Sequence, residues 1–269
     1  MSSEDLRKMQ LIQLNMLIEF DKVCRKYNIK YILDAGTLLG AVRHSGFIPW
    51  DDDIDVRMLR SEYEKFCSIG AKDLEDNIFF QSNKTDKHYL WIYSKLRKKG
   101  TKAIRVGQEH LKMKSGMFID IFPCDGVPNN RILLKMRNII ATVCRKILYA
   151  RVGKCSADTK KERFFWKCVS VIPKVIPHMI IKILSKCFDE KKCNKFGCMG
   201  WHAPKDNNGF KKEWFTELID VSFEGYNFLA PRDYDGFLKY SFGEDYMTPP
   251  PLEKQKATSP LSFYSFDDK

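Results

Sequence analysis

Residues 34–56 read Asp34-Ala35-Gly36-Thr37-Leu38-Leu39-Gly40-Ala41-Val42-Arg43-His44-Ser45-Gly46-Phe47-Ile48-Pro49-Trp50-Asp51-Asp52-Asp53-Ile54-Asp55-Val56. Just ahead of them, Tyr31-Ile32-Leu33 predicts a short buried strand. Gly36 opens a turn, Thr37 to Arg43 predicts a short helix, and Gly46 and Pro49 break the chain before Asp51. Ile54 to Met58 then predicts a second strand. The turn Asp34-Ala35-Gly36-Thr37 runs into a helix N-terminus, whose free backbone N–H groups and positive dipole end suit a phosphate.

Asp51, Asp52, Asp53 and Asp55 place four carboxylates in five positions. On a strand, alternation puts Asp53 and Asp55 on one side, with Asp51 at the strand mouth. Carboxylates that close repel one another and hold their protons more tightly unless a cation neutralises them. An oxygen-only set without neighbouring His or Cys ligands suits a hard cation, Mg²⁺ or Mn²⁺. Phe118-Ile119-Asp120-Ile121-Phe122 adds an aspartate flanked by four large apolar residues, which is costly to bury ionised and alone. A metal shared with Asp53 and Asp55 gives Asp120 the partner it needs. Three carboxylates from two strands would then hold one or two ions, activating an attacking oxygen and neutralising a leaving phosphate. Gly-Thr followed by Asp-x-Asp on the next strand is the layout of nucleotidyltransferase-fold enzymes.

Outward from this region, Ser2 and Asp5 are spaced as a capping box, and Leu6 to Cys24 carries apolar residues at helical spacing. Ser61 to Ile69 predicts a helix, and Tyr89 to Leu96 and Phe118 to Phe122 predict strands. The pattern from Arg131 to Lys192 is helical, punctuated by Gly153, Pro173 and Pro177. After Gly200 the chain is loop-rich, with a helix near Asp233 to Phe242. The expected architecture is an α/β (α+β) fold, a nucleotidyltransferase-type mixed sheet with a basic helical insertion. We expect a catalytic core over residues 1–130, the insertion over 131–199, and a segment over 200–269 that closes on the core.

The 269 residues include 46 Lys/Arg and 34 Asp/Glu, a net charge of +12. Residues 131–199 hold 17 basic and four acidic side chains, so the rest of the chain, with 29 against 30, is balanced. That block suits an anionic surface, and Val169 to Leu184, broken by Pro173 and Pro177, suits a helix lying on a membrane rather than crossing it. Many large apolar residues and no RNA or DNA motif argue against nucleic acid. No apolar run reaches the ~18 residues of a spanning helix. Acids at the N-terminus, where a signal peptide has bases, lead us to expect residence in the cytoplasm, peripheral at the inner membrane face. Nine scattered cysteines do not form a disulfide framework, and Cys187, Cys193, Cys198 and His202 lack the Cys-x₂-Cys pair of a zinc site.

The run from Asp34 to Val56 resembles the signature of the LicD family, whose characterised bacterial members are phosphocholine transferases using CDP-choline. Fukutin and fukutin-related protein, which transfer ribitol phosphate from CDP-ribitol, share it. Lys95-Leu96-Arg97 with Thr101 resembles the family's middle strand, and Phe118 to Pro123 its third-carboxylate strand. Phe223-Glu224-Gly225-Tyr226, then Pro231 to Asp235, then Tyr246 to Pro250 resemble its closing motif. The resemblance covers about residues 10–125 and 210–250. It departs at the end, where Ser-Phe-Tyr-Ser-Phe-Asp-Asp-Lys replaces a basic, histidine-containing stretch.

The resemblance implies Asp53 and Asp55 as metal ligands and Asp120 as the third carboxylate. It places Gly36 and Thr37 against donor phosphate and offers Arg43, Lys95 and Arg97 as cations for the anionic donor. The implied reaction is attack by an acceptor hydroxyl on a CDP-alcohol, most naturally CDP-choline, with CMP leaving. The acceptor the resemblance implies is a cell-surface glycan such as a lipopolysaccharide or teichoic acid precursor, expected to be lipid-linked. Two other readings remain open at this point: a nucleotidyltransferase that adds NMP to a small molecule with pyrophosphate release, and a non-enzymatic basic adaptor of membrane or nucleic acid.

Overall fold

The computed structural model describes residues 1–200, 209–256 and 260–267. The first helix, α1 (Ser3–Lys26), begins at Ser2, whose hydroxyl accepts the Asp5 N–H at 3.0 Å. Glu4 and Asp5 lie in its first turn and Arg25 and Lys26 in its last, the charge order the helix dipole favours. Its buried stripe of Leu14, Leu17, Phe20 and Cys24 packs on the core. On the same helix Gln10 and Gln13 are buried too.

A two-residue strand β1 (Ile32–Leu33) leads into α2 (Ala35–His44), and β2 (Asp55–Leu59) leads into α3 (Arg60–Ser68). Next come β3 (Ile78–Gln81), β4 (Ser94–Lys98), β5 (Lys102–Arg105) and β6 (Phe118–Gly126). The basic block forms α4 (Arg131–Ser156), α5 (Lys160–Val169), α6 (Val175–Leu184) and β7 (Lys195–Gly197). The remainder supplies β8 (Phe210–Lys211), α7 (Glu213–Thr216), β9 (Leu218–Phe223), β10 (Tyr226–Pro231), α8 (Tyr234–Phe242) and β11 (Leu261–Ser265).

The main sheet runs β1-β2-β6-β4-β3, with β7 joined to β6 and β8 to β7. Among the described residues its β2–β6 pair is parallel and its other pairs are antiparallel. Such a mixed sheet with helices is the α/β class expected. Every residue of β6 is buried, as befits the central strand of a covered sheet. The β9–β10 hairpin turns on Glu224 and Gly225, both at positive φ (53° and 79°), the two-residue geometry that favours glycine.

Three local expectations need correction. The strand expected from Tyr89 begins only at Ser94: Tyr89 is buried ahead of the ladder, and the Tyr93 ring lies tilted against Phe122, centroids 4.5 Å apart. The strand expected from Ile54 begins at Asp55, so Asp53 sits in the loop before it. Gly153 does not break α4. Instead the Trp166 ring of α5 lies against it, where an added Cβ would come within 2.8 Å of the indole. The His202 of the discounted zinc set lies outside the described residues, and all nine cysteines are free thiols.

Candidate active site

The register of the central strands builds the site. Asp55 on β2 is the partner of Asp120 on β6, and Asp120 is the partner of Lys95 on β4. Register partners point to one face, so three ionisable side chains stand in a row across three strands. All three are buried, and the Lys95 Nζ pairs with the Asp120 carboxylate. Burial pushes Lys95 down to about 8 even though Asp120 opposes the shift. Burial raises the Asp120 carboxyl, with Lys95 and Arg105 pulling it back. The Asp55 carboxyl lies well above the usual range, first from burial and then from Asp53, Asp120, Asp34 and Asp51 around it.

The aspartate loop is held from beneath by α1. Gln10 donates to the Asp51 carbonyl at 2.9 Å, and Gln13 donates to the carbonyls of Asp52 at 2.8 Å and Phe118 at 3.2 Å. Asp51, Asp52 and Asp53 each bring a carboxylate oxygen within 4.8 Å of the others. Burial and the neighbouring Asp53 and Asp52 push Asp51 up to about 8. Burial pushes Asp52 up to about 6, with Arg105 opposing it. Arg105 reaches Asp53 at 2.7 Å. The chain's own cations thus meet Asp52, Asp53 and Asp120, while Asp51 and Asp55 remain short of positive charge. That imbalance, in an all-oxygen donor set, fits a hard divalent cation.

Of the sequence-predicted residues, Gly36, Asp53, Asp55, Lys95, Arg97 and Asp120 line one cavity of about 1040 Å³. Gly36 faces the Asp51 carboxylate, which occupies the space a Cβ would fill. Thr37 is not among the lining residues; its buried hydroxyl accepts the Asp55 N–H at 2.8 Å and so fixes the start of β2. Arg43 is not among them either, and donates to the Tyr246 carbonyl at 3.0 Å, fastening α2 to the closing segment. Arg97, at the cavity wall, donates to the Gln81 side chain at 2.7 Å and the Gly116 carbonyl at 2.6 Å. Phe118 gathers Lys95, Arg97 and Arg105 over its ring, at 3.6, 4.8 and 5.1 Å from the centroid.

Several lining residues escaped the sequence reading. Arg57 sits two positions after Asp55, on the same face of β2, and pairs with buried Asp34 at 2.6 Å. That spacing was a usable signal. Arg105 had none, since its contact spans 52 residues. Trp91 from the core, Tyr149 from α4 and Trp166 from α5 add aromatic walls, with Tyr149 and Trp166 edge-to-face at 5.5 Å. Arg145 and Lys146 of α4 also line the cavity, so the basic block covers the site as well as presenting charge outward.

A family model described as LicD/FKTN/FKRP, nucleotidyltransferase domain, matches residues 28–138, which contain α2, β2, β4 and β6. The lipopolysaccharide cholinephosphotransferase LicD of Haemophilus influenzae is 33% identical over 267 residues, 93% of this chain and 94% of that protein. Shorter matches join it to uncharacterised proteins of Rickettsia typhi and Rickettsia prowazekii. The first is 40% identical over 62 residues, 23% of this chain and 20% of that one. The second is 42% identical over 55 residues, 20% of this chain and 21% of that one. With a relative similar along nearly its whole length and a family model centred on the aspartate strands, this chain belongs to the LicD family.

Proposed function

We propose that this protein transfers phosphocholine from CDP-choline to a hydroxyl of a lipopolysaccharide or teichoic acid precursor, with release of CMP. The observation that carries the reading is the buried row Asp55, Asp120 and Lys95 on the floor of a cavity large enough for a nucleotide diphospho-alcohol. The similarity to a lipopolysaccharide cholinephosphotransferase supports the choice of alcohol and acceptor.

In this reading Asp53 and Asp55, with Asp120 beside them, hold Mg²⁺ or Mn²⁺. Bound there, the ion supplies charge neutralisation on the transferring phosphate. Lys95, Arg57 and Arg105, with Arg145 and Lys146 from α4, give the cavity the cations a diphosphate needs. The faces of Trp91, Tyr149 and Trp166 suit a quaternary ammonium group. The acceptor oxygen attacks the phosphorus that bears choline, and the bond from that phosphorus to the CMP oxygen breaks. Asp120 takes the hydroxyl proton, and Lys95 keeps Asp120 ionised until then. Thr37 and Gly36 act on this site through Asp55 and Asp51 rather than by touching phosphate.

Product analysis tests this. Protein with Mg²⁺, CDP-choline and a lipopolysaccharide acceptor should yield CMP and phosphocholine-bearing acceptor. CDP-ribitol and CDP-glycerol should be poorer donors. Pyrophosphate release from a nucleoside triphosphate, with no CMP from CDP-choline, would favour nucleotidyl transfer and overturn the proposal.

A further inference from the structure

Helix α4 has three stripes instead of two. Arg137, Ala141, Cys144 and Leu148 recur at helical spacing and are buried. Thr142, Arg145, Lys146 and Tyr149 form a second stripe along the cavity. Ile132, Met136, Ile139 and Val143 form a third, at i, i+4, i+7 and i+11, and it is exposed; Ile132 is 71% accessible. Helix α6 repeats the pattern, with Pro177 and Ile181 inward and Val175, Met179 and Ile183 outward. Both α5 and α6 pack against α4, and α5 leaves Phe164 69% accessible. Exposed apolar side chains recurring at helical spacing on α4 and α6, with exposed Phe164 on α5, are more than scattered surface leucines and isoleucines, and mark an interaction surface.

Its charge says what covers it. The same 69 residues carry 17 basic and four acidic side chains, and Lys135, Lys182 and Lys186 stand exposed among the apolar residues. A second copy of this face would bring that excess against itself. A nucleic acid would satisfy the charge and leave the apolar stripes wet. A membrane bearing anionic headgroups answers both at once, because in-plane amphipathic helices bury apolar side chains at the acyl boundary while Lys and Arg meet the headgroups. Among the described residues no helix is long and apolar enough to cross a membrane. Lys174 is not part of this face; its Nζ donates to the Tyr89 carbonyl at 3.0 Å, tying α6 to the core.

We propose that the outer face of α4, α5 and α6 docks on an anionic lipid surface, lying along it with the cavity stripe of α4 to one side. A lipid-linked acceptor would then reach the cavity without leaving the bilayer. The docking goes beyond the transfer reaction and stands or falls separately from it.

Co-sedimentation of the full chain with vesicles tests it. The wild type should bind phosphatidylcholine vesicles containing one-third phosphatidylglycerol, and phosphatidylcholine alone at least tenfold more weakly. Binding should fall steeply between low and physiological salt, as the screening length shortens to ~8 Å. Ile132→Ser/Met136→Ser/Ile139→Ser and Lys135→Glu/Lys182→Glu/Lys186→Glu should each lose tenfold or more in vesicle affinity. Both alter exposed positions away from the cavity, so thermal unfolding and CDP-choline turnover should stay as in wild type. Equal binding to both vesicle types, or unchanged binding by both variants, would overturn the proposal. So would a stable dimer that the triple serine variant dissociates, or tighter binding to RNA than to anionic vesicles.

Discussion

Asp55 and Asp120 are register partners on the two parallel strands at the centre of the main sheet, and both are buried. Two carboxylates in that relation destabilise each other unless cations intervene. The cations the chain supplies act on Asp120: Lys95 pairs with it from β4, and Arg105 lies near enough to oppose its shift. Asp55 is left facing Asp53, Asp34 and Asp51. A fold does not gain stability from that arrangement, which is why we assign it to chemistry.

Removing Lys95 should cost more than removing a surface lysine. Lys95→Met leaves Asp120 buried without its partner, and loss of one member of a buried pair typically costs ~3–5 kcal/mol. Adding Asp120→Asn to that variant should restore much of the stability without restoring transfer. Denaturant unfolding of the two variants checks this; a double variant no more stable than the single would argue against the pairing.

Thr37 should behave as a structural residue. Its hydroxyl accepts the buried Asp55 N–H, so Thr37→Val strands that donor at a cost of about 1–3 kcal/mol. Thr37→Ser keeps the oxygen and should be nearly neutral. Calorimetric affinity of Thr37→Val for CDP-choline should stay within about threefold of wild type, whereas a hundredfold loss would put Thr37 on the donor phosphate.

The aromatic walls should read the alcohol. A cation over an aromatic face contributes roughly 0.5–2 kcal/mol, so Trp166→Leu should raise the CDP-choline KM by about tenfold. The KM for CDP-glycerol, which has no cation, should change little. Equal effects on both donors would place Trp166 against the nucleotide or acceptor instead.

Acid should weaken the closure of the β9–β10 hairpin on α1 and the Ser45 to Phe47 turn. Glu224 accepts from Arg7 at 2.6 Å and from the Phe47 N–H at 3.1 Å, and Arg7 first of all holds its carboxyl below the ordinary 4.5. A depressed carboxyl contributes stability above its unfolded value, lost as pH falls through the folded one. At pH 7 Glu224→Gln should be less stable by about 1 kcal/mol, discounted for the half-exposed Arg7. Unfolding measured from pH 7 downward should show that difference closing below about pH 4.5. A difference constant to pH 3 would mean packing, not charge, holds the hairpin.

Much of this architecture was legible before the coordinates. The capping pair Ser2 and Asp5 and the apolar setting of Asp120 each carry a local physical cause and appear where expected, whereas the helix expected from Thr37 already begins at Ala35, with Gly36 inside it rather than in a turn. What was not legible depends on distant partners. The family resemblance offers Arg43 as a cation for the anionic donor, yet its guanidinium meets the Tyr246 carbonyl, 203 positions on. Tyr89 to Tyr93 carries the apolar aromatics of a strand, but their rings find tertiary pockets and the ladder starts later. The strands β3 and β5 are four residues each, too short to show a period. Charge excess marked the basic block, but only the helix spacing with its accessibilities separates the cavity stripe of α4 from the exposed one.

The most direct test of the account is phosphocholine transfer by Asp55→Asn. Choline-labelled CDP-choline, lipopolysaccharide acceptor and Mg²⁺ are incubated with wild type and variant, and label on the acceptor is followed together with the melting temperature. Asparagine keeps the size of Asp55 and removes a buried charge that faces other carboxylates, so the variant should melt at or above the wild-type temperature. Its transfer rate should fall at least about a thousandfold, roughly 4 kcal/mol of barrier. A folded variant that transfers label within about tenfold of wild type would contradict the assignment of Asp55 and Asp120 as the catalytic centre.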